Sequence, residues 1–177
     1  MQKMWNPLLV EEFRLCIADL IQQPSIQTMD QIKQHVKNVS CLDHCIFVSY
    51  LSFSLCKKLR LNASAAARAG LLHDLYLCNW SQTNIGPWKR LRIHPQIALR
   101  NAEAHGLSNL ERDIIAKHMW PLTFSKIPRY RESVVVNLVD KICACVEMLR
   151  LYRKIGAARA LTGLNPCKTL LPQTANG

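Results

Sequence analysis

Apolar residues recur at steps of three and four along almost the whole chain, and this spacing predicts α-helices. The predicted helices cover residues 8–21, 28–39, 42–59, 63–77, 94–106, 108–120 and 131–154. No stretch shows the strict apolar–polar alternation of half-buried strands, and no internal repeat is present. The pattern therefore predicts an all-α fold, a single-domain helical bundle of six to seven helices.

Local signals predict the position of one of these helices in the fold and the first residue of another. The helix over 63–77 is apolar on nearly every side, so it is predicted to be central. Asn, Ser, Gly and Pro are dense over 79–93, which predicts a loop. Pro95 suits the first turn of a helix, so the next helix is predicted to begin at His94.

Length and composition fit one globular domain. The chain has 177 residues, of which 49% are hydrophobic, enough for a real core. We expect a single domain over 1–177, with a core of about 41–150 and a loosely packed tail over 156–177. Charged residues interrupt each apolar run before it reaches the about 20 residues that a membrane-spanning helix needs. The N-terminal residues do not have the pattern of a signal peptide. These features predict a cytoplasmic protein with no membrane partner and with free thiols at its eight cysteines.

The chain is strongly basic, with a formal net charge of +11 from 23 Lys and Arg against 12 Asp and Glu. Such a balance favours anionic partners. The basic residues are spread along the sequence, and no nucleic-acid-binding module is recognisable. On its own the charge does not choose among phosphorylated small molecules, nucleic acid and acidic membrane surfaces as partners. The oligomeric state stays open, with a homodimer as one possibility.

Imidazole and carboxylate side chains occur among core-type residues at six positions, which are His44, His73, Asp74, His94, His118 and Asp140. Adjacent residues on a helix do not face each other, so His73 and Asp74 cannot satisfy one another, although both can reach an ion beside the helix. Each histidine alone could be a core residue bonded to a carbonyl, whereas Asp140 would be costly to bury without a cation. Together the six favour a metal site. Nitrogen and oxygen donors without thiolates suit Mn, Fe, Co, Ni or Zn.

The order of these donors along the chain, H…HD…H…H…D, resembles the HD superfamily of metal-dependent phosphohydrolases, in particular its small single-domain bacterial members. The resemblance covers about 41–149 and is marked at 69–74, where the sequence reads AGLLHD. It implies one or two divalent ions. One metal position would take His44, His73, Asp74 and Asp140. The other would take His94 and His118, with Asp74 bridging the two ions.

The resemblance also implies an activity, the cleavage of a phosphate ester or anhydride by a metal-bound hydroxide. The partner it implies is an anionic, phosphorylated small molecule, with a nucleotide as the expected substrate. His73 and Asp74 are the predicted catalytic residues, and Asp74 would also position the nucleophile. Many members carry a phosphate-binding lysine three residues after the HD pair, where this chain has Leu77. The basic residues that could replace it are Arg90, Arg92, Lys117 and Lys141. Ordinary surface charge is the alternative interpretation of each.

Two other functions stay open on the sequence alone. The absence of lysine at position 77 favours a regulatory module that binds a metal ion or a nucleotide with little turnover. Some proteins of this fold hold two irons and cleave C–C or C–P bonds, so di-iron oxygenase chemistry is the third hypothesis.

Overall fold

The computed structural model describes residues 6–33, 39–78, 83–151 and 163–169. In these ranges the helices are α1 (Pro7–Ile21), α2 (Pro24–Gln27), α3 (Cys41–Lys58), α4 (Ala63–Leu72), α5 (Pro87–Ala102), α6 (Asn109–Lys117), α7 (Arg131–Met148) and α8 (Pro166–Thr169). Single 3-10 turns follow at Thr28–Gln31 and Glu103–His105. The described residues form no strand, and one isolated bridge joins Lys33 to Ser40. The all-α prediction is confirmed. None of the described helices is long and apolar enough to cross a membrane.

Helix α4 lies at the centre of the bundle, as predicted, and packs against α1, α3, α5, α6 and α7. Its small residues Ala66, Ala67, Ala69 and Gly70 are buried. A Cβ atom on Gly70 would lie 2.9 Å from the Cα of Ser49 on α3. Glycine at this position therefore allows α3 and α4 to approach closely, which brings the histidines of the two helices together.

Side chains cap α3, α4 and α6, three of the helices that carry or directly precede predicted ligands. Ser40 and Asp43 form a capping box at the start of α3, and Ser108 and Glu111 form another at the start of α6. The side chain of Asn62 accepts a hydrogen bond from the first turn of α4. These caps fix the first residues of α3, α4 and α6.

Helix α5 begins at Pro87, about two turns before the predicted start at His94. The predicted loop over 79–93 is therefore wrong from Pro87 onward, and 79–82 lie outside the described residues. Gly86 is the N-cap and Pro87 occupies the first turn, so they give the start signal that the sequence analysis assigned to Pro95. Pro95 lies inside the helix, and His94 is buried in its middle rather than at its end.

Several helix ends also differ from the predictions. The helix predicted over 28–39 is wrong where the chain is described, because a 3-10 turn ends at Gln31 and Ile32 is extended; 34–38 lie outside the described residues. Helix α6 ends at Lys117 instead of near 120, and α7 ends at Met148, with 152–154 outside the described range. Apolar spacing continued past the end of α6 because the following turn also buries an apolar side chain, Met119.

Part of the C-terminal tail is packed, unlike the loose tail predicted over 156–177. Leu164 and Asn165 are buried. The Nδ2 of Asn165 donates to Oδ1 of Asp30 (2.8 Å) and to Oδ1 of Asp43 (3.1 Å). This short anchor has too few residues to show a periodic pattern. Residues 156–162 and 170–177 lie outside the described range.

Candidate metal centre

The six predicted ligands meet in one place, although they come from five helices. His44 lies on α3, His94 on α5 and Asp140 on α7, whereas His73 and Asp74 follow α4 and His118 follows α6. Each is at most 8% exposed. Two overlapping groups have ligand atoms within 4.8 Å of one another, namely His44 with His73 and Asp140, and His73 with Asp74 and His118. The fold thus concentrates imidazoles and carboxylates in a buried cluster.

His73 and His118 occupy equivalent positions, because each is the C-cap residue of its helix. The Nδ1 of His73 lies 2.8 Å from the carbonyl oxygen of Gly70, and the Nδ1 of His118 lies 2.9 Å from that of Ile115. The last carbonyls of a helix have no donor within the helix. Since a carbonyl can only accept, each Nδ1 carries a hydrogen and each Nε2 presents a lone pair. Helix α4 ends at Leu72 and not at 77 as predicted. At this end the carbonyl of Gly70 accepts from the His73 ring.

The Nε2 atoms of His94 and His118 lie only 2.8 Å apart. The Nδ1 of His94 lies 2.9 Å from the carbonyl of Arg90, so its Nε2 also carries the lone pair. Two lone pairs at this distance repel unless a cation lies beside both. Burial, together with the neighbouring His94 and His73, lowers the pKa of His118 to about 3, so a proton on this ring is unfavourable. A divalent metal ion held by both nitrogens would relieve this repulsion.

The carboxylate of Asp74 lies between two parts of the cluster. Its Oδ1 is 3.4 Å from Nε2 of His94 and 3.6 Å from Nε2 of His118, while its Oδ2 is 3.7 Å from Nε2 of His73. Burial alone would raise the pKa of Asp74, but the surrounding imidazoles lower it to about 2. An ionised carboxylate with one oxygen toward His94 and His118 and the other toward His73 could help to hold a cation on either side.

The Nε2 of His73 is buried and has no hydrogen-bond partner in the described part of the chain. Its nearest charged atoms are Oδ1 of Asp140 at 3.5 Å and Oδ2 of Asp74 at 3.7 Å. A lone pair that faces two carboxylates needs a cation. Although burial opposes it, Asp74 and Asp140 raise the pKa of His73, so a proton and a metal ion compete for this nitrogen. The donor set therefore fits a divalent metal ion.

His44 is held between two carboxylates of α7. Its Nε2 lies 3.1 Å from Oδ1 of Asp140, and its Nδ1 lies 2.9 Å from Oε1 of Glu147. Against the effect of burial, these bonds raise the pKa of His44 well above its ordinary value. Burial also opposes ionisation of Asp140, but His44 and His73 hold the pKa of Asp140 well below its usual range. Because this triad can satisfy itself as an imidazolium between carboxylates, it is the other histidines of the cluster that require a metal ion.

Two residues of α7 that the sequence analysis missed support this arrangement. Glu147 is fully buried and follows Asp140 by two helical turns, a spacing that could have revealed a shared face. The Nδ2 of Asn137 donates to the carbonyls of His118 (2.6 Å) and Trp120 (2.7 Å), which holds the turn after α6. No pattern in the sequence indicates the hydrogen bonds of Asn137.

Lys141 is the predicted phosphate ligand that lies at the edge of the cluster. Its Nζ is 3.9 Å from Oδ2 of Asp140, and it donates to the carbonyls of His118 (2.8 Å) and Asn137 (3.3 Å). Burial lowers its pKa, and its side chain is still 34% exposed. An ammonium group beside the imidazoles and open to solvent can reach an anion that enters the site.

The other predicted phosphate ligands have different surroundings. The Nε of Arg90 donates to the carbonyl of Ile85 (2.7 Å), which closes the start of α5. Lys117 forms an ion pair with Asp113, one turn earlier on α6. Arg92 is exposed on α5. Both arginines lie on a helix rather than in the predicted loop before His94.

Comparison with protein-family models matched residues 41–145 to the HD domain. Neither the curated proteins nor the solved structures gave a significant match. The matched segment contains all six predicted ligands and more than half of the chain. This match, the all-α bundle and the buried His–Asp cluster show that the chain belongs to the HD domain family.

Proposed function

We propose that the protein is a metal-dependent phosphohydrolase that cleaves a phosphate ester or anhydride, with a nucleotide as the expected substrate. One observation carries the proposal: the lone pairs of His94 and His118 converge at 2.8 Å in a buried cluster. HD domain proteins are typically metal-dependent hydrolases, and the match over 41–145 supports the same chemistry here. The net charge of +11 would draw anionic substrates to the protein.

We expect the cluster to hold two divalent ions. His44, His73 and Asp140 would bind one, His94 and His118 the other, and Asp74 would contribute to both. The C-termini of α4 and α6 add negative partial charge at the site, which favours cations. When bound, divalent ions would lower the pKa of water from 15.7 toward about 7 and neutralise phosphate charge.

The protein's own side chains would keep the site ready for this chemistry. The pKa of about 2 keeps Asp74 ionised, so it can bind a cation and accept a hydrogen bond from water. The pKa of about 3 keeps His118 neutral and able to act as a ligand. Lys141 has three N–H donors, of which two reach carbonyls, and we propose that the ammonium group contacts the substrate phosphate.

A regulatory metal- or nucleotide-binding module with little turnover is the second candidate, and Leu77 favours it. This residue occupies the position of the family's phosphate-binding lysine, is 37% exposed and has a positive φ of 51°. An uncharged side chain there offers nothing to a phosphate. The proposed hydrolase therefore depends on Lys141 to supply the positive charge from α7.

A substrate panel separates the two candidates. The purified protein would be tested with p-nitrophenyl phosphate esters and nucleotides in Mn, Ni, Co or Mg. We expect turnover that Asp74→Asn lowers by at least about 100-fold, because the change removes the ionised carboxylate that faces three imidazoles. Glu111→Gln is the matched control, since this buried carboxylate bonds Ser108 and Arg68 instead. Full metal loading without turnover of any phosphate would contradict the hydrolase and favour the regulatory module.

A further inference from the structure

Glu147 places a third carboxylate against the cluster, outside the segment that matches the HD domain. It lies in the last turn of α7 and is fully buried. Its Oε1 is 2.9 Å from Nδ1 of His44. Its Oε2 is buried and has no hydrogen-bond partner in the described part of the chain. Burying a carboxylate is expensive unless it is paired, and His44 is the partner that the structure gives to Glu147.

The contact decides which nitrogen of His44 faces the metal centre. Asp140, a proposed ligand, lies at Nε2, whereas Glu147 lies at Nδ1 on the opposite side of the ring. An ionised carboxylate can only accept a hydrogen bond. The hydrogen of a neutral His44 is therefore held on Nδ1 by Glu147, and Nε2 is left with its lone pair.

We propose that Glu147 is a positioning residue of the metal centre. It holds the hydrogen on Nδ1 of His44, fixes the plane of the ring and directs Nε2 toward the ion that His73 and Asp140 also bind. A carboxylate behind a ligating imidazole increases the basicity of the ligand, and loss of such a partner typically weakens metal binding about 10- to 100-fold. This inference rests on the metal centre proposed above.

Metal affinity in two Glu147 variants tests the role. Co²⁺ would be titrated into metal-free protein against a chelator of known affinity, with circular dichroism to confirm folding. We expect Glu147→Gln to weaken Co²⁺ binding about tenfold and Glu147→Ala to weaken it about 10- to 100-fold. Glutamine has the same shape and keeps one acceptor oxygen, so the alanine variant should be the weaker binder. Glu111→Gln makes the same chemical change at a buried carboxylate of α6 and should bind Co²⁺ like the parent.

The outcomes distinguish this role from the metal centre itself. A parent protein that binds no Co²⁺ would overturn both proposals. If the parent binds Co²⁺ and both Glu147→Gln and Glu147→Ala bind it as tightly as the parent, the role of Glu147 alone would be overturned.

A second measurement does not depend on the Glu147 variants being folded. The imidazole ¹⁵N spectrum of the zinc-loaded parent, with His44 assigned by comparison with His44→Asn, should show a hydrogen on Nδ1 of His44. A spectrum with Nδ1 bound to zinc, or without its hydrogen, would refute the positioning role.

Discussion

The chemistry of three imidazoles is fixed by single hydrogen bonds to the backbone. The Nδ1 atoms of His73, His94 and His118 each bond a carbonyl three or four residues earlier. Each ring must therefore present Nε2 to the cluster. The sequence could indicate these residue types as ligands, but it could not indicate the tautomer, because that depends on which carbonyl each ring meets.

Lys141 is expected to act on substrate and not on metal. Its Nζ bonds carbonyls rather than the imidazoles, so Lys141→Met should leave the metal content unchanged. Loss of a hydrogen bond to a charged group costs about 1.5–3 kcal/mol, so kcat/KM for a phosphate ester should fall about 10- to 100-fold. Steady-state kinetics and elemental analysis of the same samples measure the two effects.

Lys117→Met is the matched control for this substitution, because Lys117 pairs with Asp113 on α6. It should leave kcat/KM close to that of the parent. Equal kinetics in the Lys141→Met and Lys117→Met variants would show that Lys141 does not contact the phosphate.

The packing of α3 on α4 sets the distance between His44 and His73. The two rings lie with centroids 5.4 Å apart. Gly70 is one turn before His73 and lies against the backbone of Ser49 on α3. Any side chain at Gly70 would push the helices apart and would therefore increase the distance between His44 and His73.

Gly70→Ala is therefore expected to weaken both folding and metal binding. The added Cβ would lie 2.9 Å from a backbone atom of Ser49, and overpacking of this kind typically costs about 1–3 kcal/mol. Urea denaturation would measure the loss of stability, and Co²⁺ titration the loss of affinity. Gly163→Ala is the control, since a Cβ there meets nothing within 4 Å. A Gly70→Ala variant as stable as Gly163→Ala would contradict the close-packing argument.

Helix type was predictable from apolar spacing, whereas helix ends were not. The start of α3 and the central place of α4 follow from local caps and from an apolar surface. The end of α4 depends on the ring of His73 taking the carbonyl of Gly70. The start of α5 was misplaced because Pro87 and Pro95 both suit a first turn, and spacing does not decide between them.

The cluster as a whole depends on the path of the chain between residues 44 and 140. Five helices must converge before His44 meets Asp140 and before His94 meets His118. Spacing along the sequence carries no information about such distances. The core-type surroundings of the six residues indicated a metal site, and the resemblance to the HD superfamily divided them between two metal positions. The family match over 41–145 places the chain in the HD domain family. Glu147 was not predicted from the sequence, because it lies beyond the motif and contacts the cluster through His44.

Metal content per chain tests the central claim most directly. Protein reloaded with Mn²⁺ or Zn²⁺ and then dialysed should hold two ions, as expected for a dinuclear site with a shared carboxylate. His94→Ala should keep about one ion. The change removes one of the two imidazoles, His94 and His118, that lie beside Oδ1 of Asp74 and would hold the second ion. His105→Ala, outside the cluster after α5, should keep both. A parent protein without bound ions, or a His94→Ala variant with the full content of the parent, would contradict the account.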